Sequence, residues 1–317
     1  MSNNRTGFAG DLLHWARGLC MGAADIVPGV SGGTMALILG HYQRLVTAIS
    51  HVDRNLLRLL CTRKLSEAAQ YVDLRFLLAL GLGIVTGIVG LASLMHYLLE
   101  QQQAYTYATF FGLILGSSYL VARRLKKWRS LHLGLLAIAA VLAWQICVLS
   151  PAHSSLTPVT AFAAATVSIC AMILPGISGA FVLLLLGLYH PITELIRGLP
   201  RGEVTAEGLW IIVVFGCGCA VGLLAFSRLL RWLLSHHHDA TMAFLVGLML
   251  GSLYKIWPFQ RVTPATAELP FKEQHFEHLW PMSSTASLPL AITLMLLALL
   301  ATVLLERVGR GRRADAV

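Results

Sequence analysis

The chain has 317 residues, of which 56% are hydrophobic and only 12% charged, whereas soluble domains carry roughly 25% charged residues. That composition excludes an ordinary water-soluble enzyme, a disordered protein and a secreted disulfide scaffold. A net charge of +9 would suggest nucleic acid in a polar protein, but here the cations sit between apolar runs, where they act as topology signals, and no nucleic-acid partner is expected.

Ten apolar segments follow one another, at 12–27, 30–50, 74–99, 105–122, 131–150, 157–174, 177–198, 209–234, 240–257 and 285–305. A spanning helix needs about 20 apolar residues, and segments three, five, eight and ten meet that comfortably. The first pair is different. Arg17 and Asp25 lie in segment one, and Pro28-Gly29-Val30-Ser31-Gly32-Gly33-Thr34 joins it to segment two. Segments six and seven meet at Pro175-Gly176-Ile177-Ser178-Gly179-Ala180. Proline removes a backbone donor and glycine admits positive φ, so each join breaks a helix. Almost no polar loop accompanies either break, so each pair reads as a hairpin buried in the membrane, re-entrant or made of two short spans.

Loop charge sets the direction. Arg123, Arg124, Lys126, Lys127 and Arg129 follow segment four and place that loop in the cytoplasm. The 51–73 loop, the 235–239 turn after Arg228 and Arg231, and the tail with Arg307, Arg310, Arg312 and Arg313 fall on the same side. The 100–104 and 151–156 loops carry no Lys or Arg and fall outside. Both termini are therefore expected inside. The organisation is one transmembrane domain, 1–317, with a first repeat at 10–122, a connecting helix at 131–150 and a second repeat at 157–257. An extracytoplasmic loop at 258–284 precedes a final helix and basic tail at 285–317.

The repeat is visible as spacing. An offset of 147 pairs Pro28, Gly29, Ser31 and Gly32 with Pro175, Gly176, Ser178 and Gly179, then Gly40 with Gly187 and Tyr42 with Tyr189. An offset of 135 pairs Gly81, Gly83 and Gly87 with Gly216, Gly218 and Gly222, and Gly112 and Gly116 with Gly247 and Gly251. An odd number of crossings separates the copies, so the second is inverted, as in alternating-access transporters and some channels. The expected fold class is an all-α polytopic membrane protein of two inverted repeats, each opening with a broken helical hairpin.

After each Pro-Gly turn a helix should begin with free N–H groups and a partial positive end, a cradle for phosphate or carboxylate. Gly32, Gly33, Gly176 and Gly179 would let a ligand approach the backbone; Ser31, Thr34 and Ser178 add hydroxyls, which equally read as helix caps. Arg17 is either a phosphate ligand or a snorkelling cation, and Asp25 either pairs with Arg17 or titrates with a transported proton. No catalytic residue, metal or cofactor is expected. Gly29-Val30-Ser31-Gly32-Gly33 fits the G-x-S-x-G of intramembrane serine proteases. A serine nucleophile needs a base within reach, however, and the candidate histidines lie near segment ends. A small-anion channel or exchanger would use the same tip chemistry and stays open. No G-x-x-x-x-G-K-[ST] motif is present to bind ATP.

Met21 to Thr34 (MGAADIVPGVSGGT), with Gly40 and Tyr42 beyond it, resembles the first signature of a bacterial membrane family associated with polyprenyl-phosphate translocation. Ala171 to Gly179 (AMILPGISG), with Gly187 and Tyr189, resembles its second, and the likeness covers about 10–260. It departs at Gln43, where an acidic residue often stands, and at Ala180, where a hydroxyl residue often stands. The resemblance implies transport of undecaprenyl phosphate, the lipid carrier of cell-wall precursors, from the outer to the inner leaflet of the bacterial cytoplasmic membrane. It places Asp25, Pro28, Ser31, Gly32, Gly33, Thr34, Pro175, Ser178 and Gly179 in the site. The partners expected are the lipid phosphate, the bilayer, a coupling proton or ion, and a second copy in a homodimer.

Overall fold

Apolar runs punctuated by Pro, Gly and short polar turns fold as helices in the computed structural model, which describes residues 7–27, 30–123, 125, 127–149, 154–266, 274, 276–283 and 287–314. The first hairpin is α1 (Phe8–Ile26), α2 (Gly32–Ile38) and α3 (Tyr42–Ser50). The basic loop folds as α4 (Arg54–Cys61) and α5 (Leu65–Tyr71), and three long helices follow: α6 (Leu74–Gln101), α7 (Gln103–Ala122) and α8 (Ser130–Val148). The second hairpin is α9 (Pro158–Ile173), α10 (Gly179–Leu185) and α11 (Tyr189–Gly198), followed by α12 (Ala206–His236) and α13 (His238–Ser252). Strands β1 (Gln260–Val262) and β2 (Phe276–His278) pair antiparallel, with Gln260 opposite His278, before α14 (Leu288–Ala314).

The protein is a multi-pass membrane protein. Helices α6, α7, α8 and α12 are long and apolar enough to span, and a fifth span results if α10 and the following Tyr189–Arg201 run count as one. That is fewer than the ten segments marked in the sequence, because α9 and the apolar part of α14, Leu288–Leu304, are shorter. The second arms also break again. The runs 30–50 and 177–198 are each one apolar segment in the sequence, yet Gly40 and Gly187 end a helix inside each of them, at φ +75° and +73°. Around Gly40, His41 N–H bonds the Ala36 carbonyl at 3.0 Å and Gly40 N–H that of Leu37 at 3.2 Å. Leu188 and Gly187 repeat the pattern on Leu183 and Leu184 at 3.1 and 2.9 Å. These are Schellman stops, which require the left-handed conformation glycine adopts without penalty. The second arm bends by 114° there.

Glycines set the helix pairs. Helix α1 packs on α6, α9 on α12, α7 on α14 and α8 on α13. A Cβ on Gly83 or Gly87 would strike the backbone carbonyl of Trp15 or Leu19; one on Gly218 or Gly222 would strike that of Phe162 or Thr166. Trp15 and Phe162, like Leu19 and Thr166, are 147 apart, so the contact repeats together with the glycines. In the same way Gly112 and Gly116 abut Met295 and Leu299, and Gly247 and Gly251 abut Leu136 and Ala140. Small residues let membrane helices approach closely enough for dispersion to hold them. The centre of the body is α7 and α13, whose Ile114, Leu245, Val246 and Met249 are fully buried against Val27, Val30 and Ala36. The outer faces of α6 and α12 leave Leu82, Val89, Val213 and Val221 exposed, as suits hydrocarbon.

On the side of the basic loops, α3 also packs along α12, and Arg228 donates to the Val52 carbonyl at the end of α3. Helix α11 has no comparable packing on α6 among the described residues. The Val52 turn is pinned by Asp53, whose carboxylate accepts from Asn55 N–H at 2.9 Å, Leu56 N–H at 3.1 Å and Tyr71 Oη at 2.8 Å.

Two outcomes follow from this packing. Replacing Gly83 or Gly218 by leucine should separate α1 from α6, or α9 from α12, and destabilise the protein by about 1–3 kcal/mol or more. Loss of a monodisperse peak in detergent and a lower Tm would register it. Burial pushes the Asp53 carboxyl up, but hydrogen bonds from Leu56, Tyr71 and Asn55 outweigh it and hold the group below its ordinary value. Its contribution is therefore complete above about pH 4 and is lost as the pH falls through the lower folded value. Hydrogen exchange across 51–73 should rise at neutral pH in Asp53→Ala, and in the wild type only below about pH 4.

Candidate functional site at the paired hairpin tips

Helix α1 stops two residues before Pro28, which with Gly29 lies outside the described residues. Ser31 is the N-cap of α2 and accepts from Gly33 N–H at 3.1 Å. The neighbouring donor, Gly32 N–H, is taken by Asp25 Oδ1 at 2.6 Å. Both bonds satisfy amides that the start of a helix leaves without partners. Ser31 and Thr34 are 1% and 0% exposed, so this happens out of contact with solvent.

The second tip comes from α9, which starts with a Thr157–Thr160 capping box and Pro158 and ends at Ile173, ahead of Pro175. Its last carbonyls are covered by the first hairpin. Ser31 Oγ lies 3.3 Å from the Met172 oxygen and 3.4 Å from that of Leu174, and Tyr42 Oη donates to Ile173 at 3.1 Å. In the other direction Gly176 N–H donates to Thr34 Oγ1 at 2.8 Å. Gly33 must be glycine because a Cβ would stand 2.6 Å from the Ile173 carbonyl oxygen. Gly176 sits at φ +90° with Leu248 of α13 against it. Pro175 and Gly179 are buried beside these contacts, and a Cβ on Gly179 would lie 2.6 Å from the Ser168 oxygen.

Ser178 holds the N-cap position of α10 without making a cap bond. It lines a crevice between the hairpins with Asp25, Ile26, Ala180, Phe181, Leu184 and Tyr189. The structure thus brings Asp25, Ser31, Gly32, Gly33 and Thr34 together with Pro175, Gly176, Ser178 and Gly179. Arg17 stands apart: eight residues of α1, about 12 Å of rise, separate it from Asp25. It is half-buried, and its charge acts on His14 and His41.

Sequence reasoning missed three features. Tyr42, used there only to align the repeats, is a tip-to-tip bond. Arg44 pairs with Asp73 at 2.6 and 3.1 Å, approaches His14 Nε2 at 3.0 Å and lies 4.3 Å over the Phe76 ring. Lys255 stands 4.6 Å over Phe181, a residue of the crevice wall. An ionisable residue within an apolar segment was the signal available for Arg44 and Lys255.

The arrangement can hold an anion at the α2 start and pass hydrogen bonds between the tips. It offers no acyl-transfer centre, since Ser31 is bonded to main-chain carbonyls and to Gly33, not to a base. Among the described residues no group of three or more His, Cys, Asp or Glu gathers as a metal site.

Comparison with known proteins bears on this geometry. The profile of a family described as undecaprenyl phosphate translocase-like matches residues 21–270. A polyprenyl-phosphate transporter of Vibrio cholerae is 38% identical over 304 residues, covering 93% of this chain and 96% of its own. A polyprenyl-phosphate transporter of Staphylococcus aureus is 31% identical over 259 residues, covering 78% and 86%. No solved structure matches. The residues matched include both Pro-Gly tips, and the chain belongs to the undecaprenyl phosphate translocase-like family, whose members are transporters and not enzymes.

Proposed function

We propose that the protein carries undecaprenyl phosphate from the outer to the inner leaflet of the bacterial cytoplasmic membrane, returning the lipid carrier for cell-wall synthesis. The observation that carries this reading is the carboxylate of Asp25 seated on the α2 start, where the second tip meets the first. A site that holds a carboxylate on a backbone amide at a helix start has the polarity a phosphate requires. The polyprenyl tail stays in lipid throughout, so only the headgroup needs a polar route across about 30 Å of hydrocarbon.

In this reading the two halves are inverted repeats that alternate in access, and the phosphate passes between Ser31, Gly32 and Gly33 on one tip and Ser178 and Gly179 on the other. The recurrence of glycine-to-carbonyl contacts at the sequence offsets supports the duplication. The seal of α3 on α12, without its counterpart of α11 on α6, supports a state closed towards the basic loops and open on the opposite side. Asp25 must leave Gly32 for phosphate to take its place. Protonation of Asp25 would release it, which makes this carboxyl the point of proton coupling. Arg17, further along α1, would receive the phosphate on the inner side.

The test is a leaflet assay in liposomes containing undecaprenyl phosphate, read with a membrane-impermeant reporter. Wild type should move the lipid, and Arg17→Ala and Ser31→Ala, both correctly inserted, should do so at least about tenfold more slowly, the loss of one charge-assisted contact. Wild-type rates in both variants would remove the site assignment. No movement by the wild type, with chloride flux in the same vesicles, would leave the small-anion reading in its place. Asp25→Asn should still bind lipid and lose the dependence of transport on a proton gradient; an unchanged dependence rules Asp25 out as the coupling group.

A further inference from the structure

Beside the second tip lies a cation that neither motif contains. Lys255 follows α13 in the chain, is half-buried, and packs near Cys147 at the end of α8. Its ammonium stands 4.6 Å from the centre of the Phe181 ring. No carboxylate among the described residues comes within 4 Å of it, whereas Arg44, Lys64 and Arg75 each hold one. A lysine ammonium carries three donors and no acceptor, and an aromatic face satisfies its charge only in part.

The position is informative. Gly176 rests against Leu248 of α13, so Lys255, seven residues further on, stands beyond the tip towards the 258–284 loop. Phe181 lies in the first turn of α10 and lines the same crevice as Asp25 and Ser178. The Ser178 hydroxyl makes no cap bond, in contrast with Ser31 in the first hairpin. A cation with no counter-ion among the described residues thus sits on Phe181, which shares the crevice wall with the uncommitted Ser178 hydroxyl, Tyr189 and Asp25, the last already engaged with Gly32.

We propose that Lys255 and Ser178 form the outer docking point for the phosphate headgroup of the lipid, holding it beside Asp25 before the tips take it. The proposal rests on the reading of the protein as a polyprenyl-phosphate carrier and adds to it the residue that first meets the substrate. A phosphomonoester carries about −1.5 to −2 charges near neutral pH and three acceptor oxygens. A lysine binds such a group as a point charge, without needing the planar fork of arginine. Phe181 holds the ammonium against the crevice wall.

The experiment compares wild type, Lys255→Gln, Lys255→Arg and Lys255→Met in lipid nanodiscs and liposomes. Binding of undecaprenyl phosphate should weaken by about 10- to 100-fold in K255Q and K255M, the loss of one charge-assisted contact, and be largely restored in K255R. Binding of uncharged undecaprenol should not change. The lipid concentration giving half-maximal transport should rise by the same factor, with the maximal rate nearly preserved. K255M retains the apolar stem against Phe181, so it serves if K255Q does not fold. Equal loss of undecaprenol and its phosphate, or unchanged binding of both, overturns the proposal. So does thermal protection by inorganic phosphate alone in wild type and not in K255Q, which would assign the point to free phosphate. Failure of the wild type to move lipid would instead count against the carrier reading itself.

Discussion

Two helices stop in the middle of an apolar body, and each stop leaves backbone groups that a bilayer offers no water to satisfy. An unpaired group in hydrocarbon costs several kcal/mol, so neither hairpin could hold its shape alone. The first hairpin completes the second as well as itself. The last carbonyls of α9 receive Ser31 and Tyr42, the amide of Gly176 finds Thr34, and the amide of Gly32 finds Asp25. The motif chemistry follows from this constraint. Hydroxyl residues supply bonds that reach across the gap, and glycines let the backbones come near enough to make them. What the tips leave uncommitted is the Ser178 hydroxyl and the crevice it lines.

Helix packing turns that local closure into a divided body. Helix α7 is held by α14 and α13 by α8, each through a pair of glycines four residues apart. These contacts are made within the chain, so the glycine faces that could have joined two subunits are already occupied. The hairpins ride instead on α6 and α12, again through glycine-to-carbonyl contacts. The body therefore has an interlocked frame near its centre and two hairpin units, each fastened to its own long helix. Arg228 bonded to Val52 fastens one unit to the other on the side of the basic loops.

Much of this was legible in the sequence. Pro-Gly breaks, glycine spacing and the clean apolar length of α6, α8 and α12 rest on local rules, since a residue's conformational range or hydropathy decides them. The second break in each hairpin was legible in principle, because Gly40 and Gly187 were already aligned. Apolar composition continues through both glycines, and their positive φ shows that the helix does not. The partners of Ser31 could not be read at all. A serine ahead of a helix is a cap in sequence, and its reach to Met172 and Leu174 depends on a hairpin more than 140 residues away. Lys255 was lost for another reason: it stands at the end of an apolar segment, where a lysine ordinarily reaches to the interface, and only its position over Phe181 turns it inward.

The carboxylate on α2 has a consequence for selectivity. Because Asp25 occupies the amide of Gly32, the start of α2 carries its own resident anion. An arriving chloride would exchange one charge for another and bring no oxygens to replace the bonds it breaks. A phosphomonoester brings more charge, several acceptors and a tail that keeps it at the bilayer. On the proposed reading, the protein's own carboxylate would set an entry threshold against small monovalent ions. A carrier built this way would leave a membrane's ionic gradients intact, because the charge guarding its site is part of the protein.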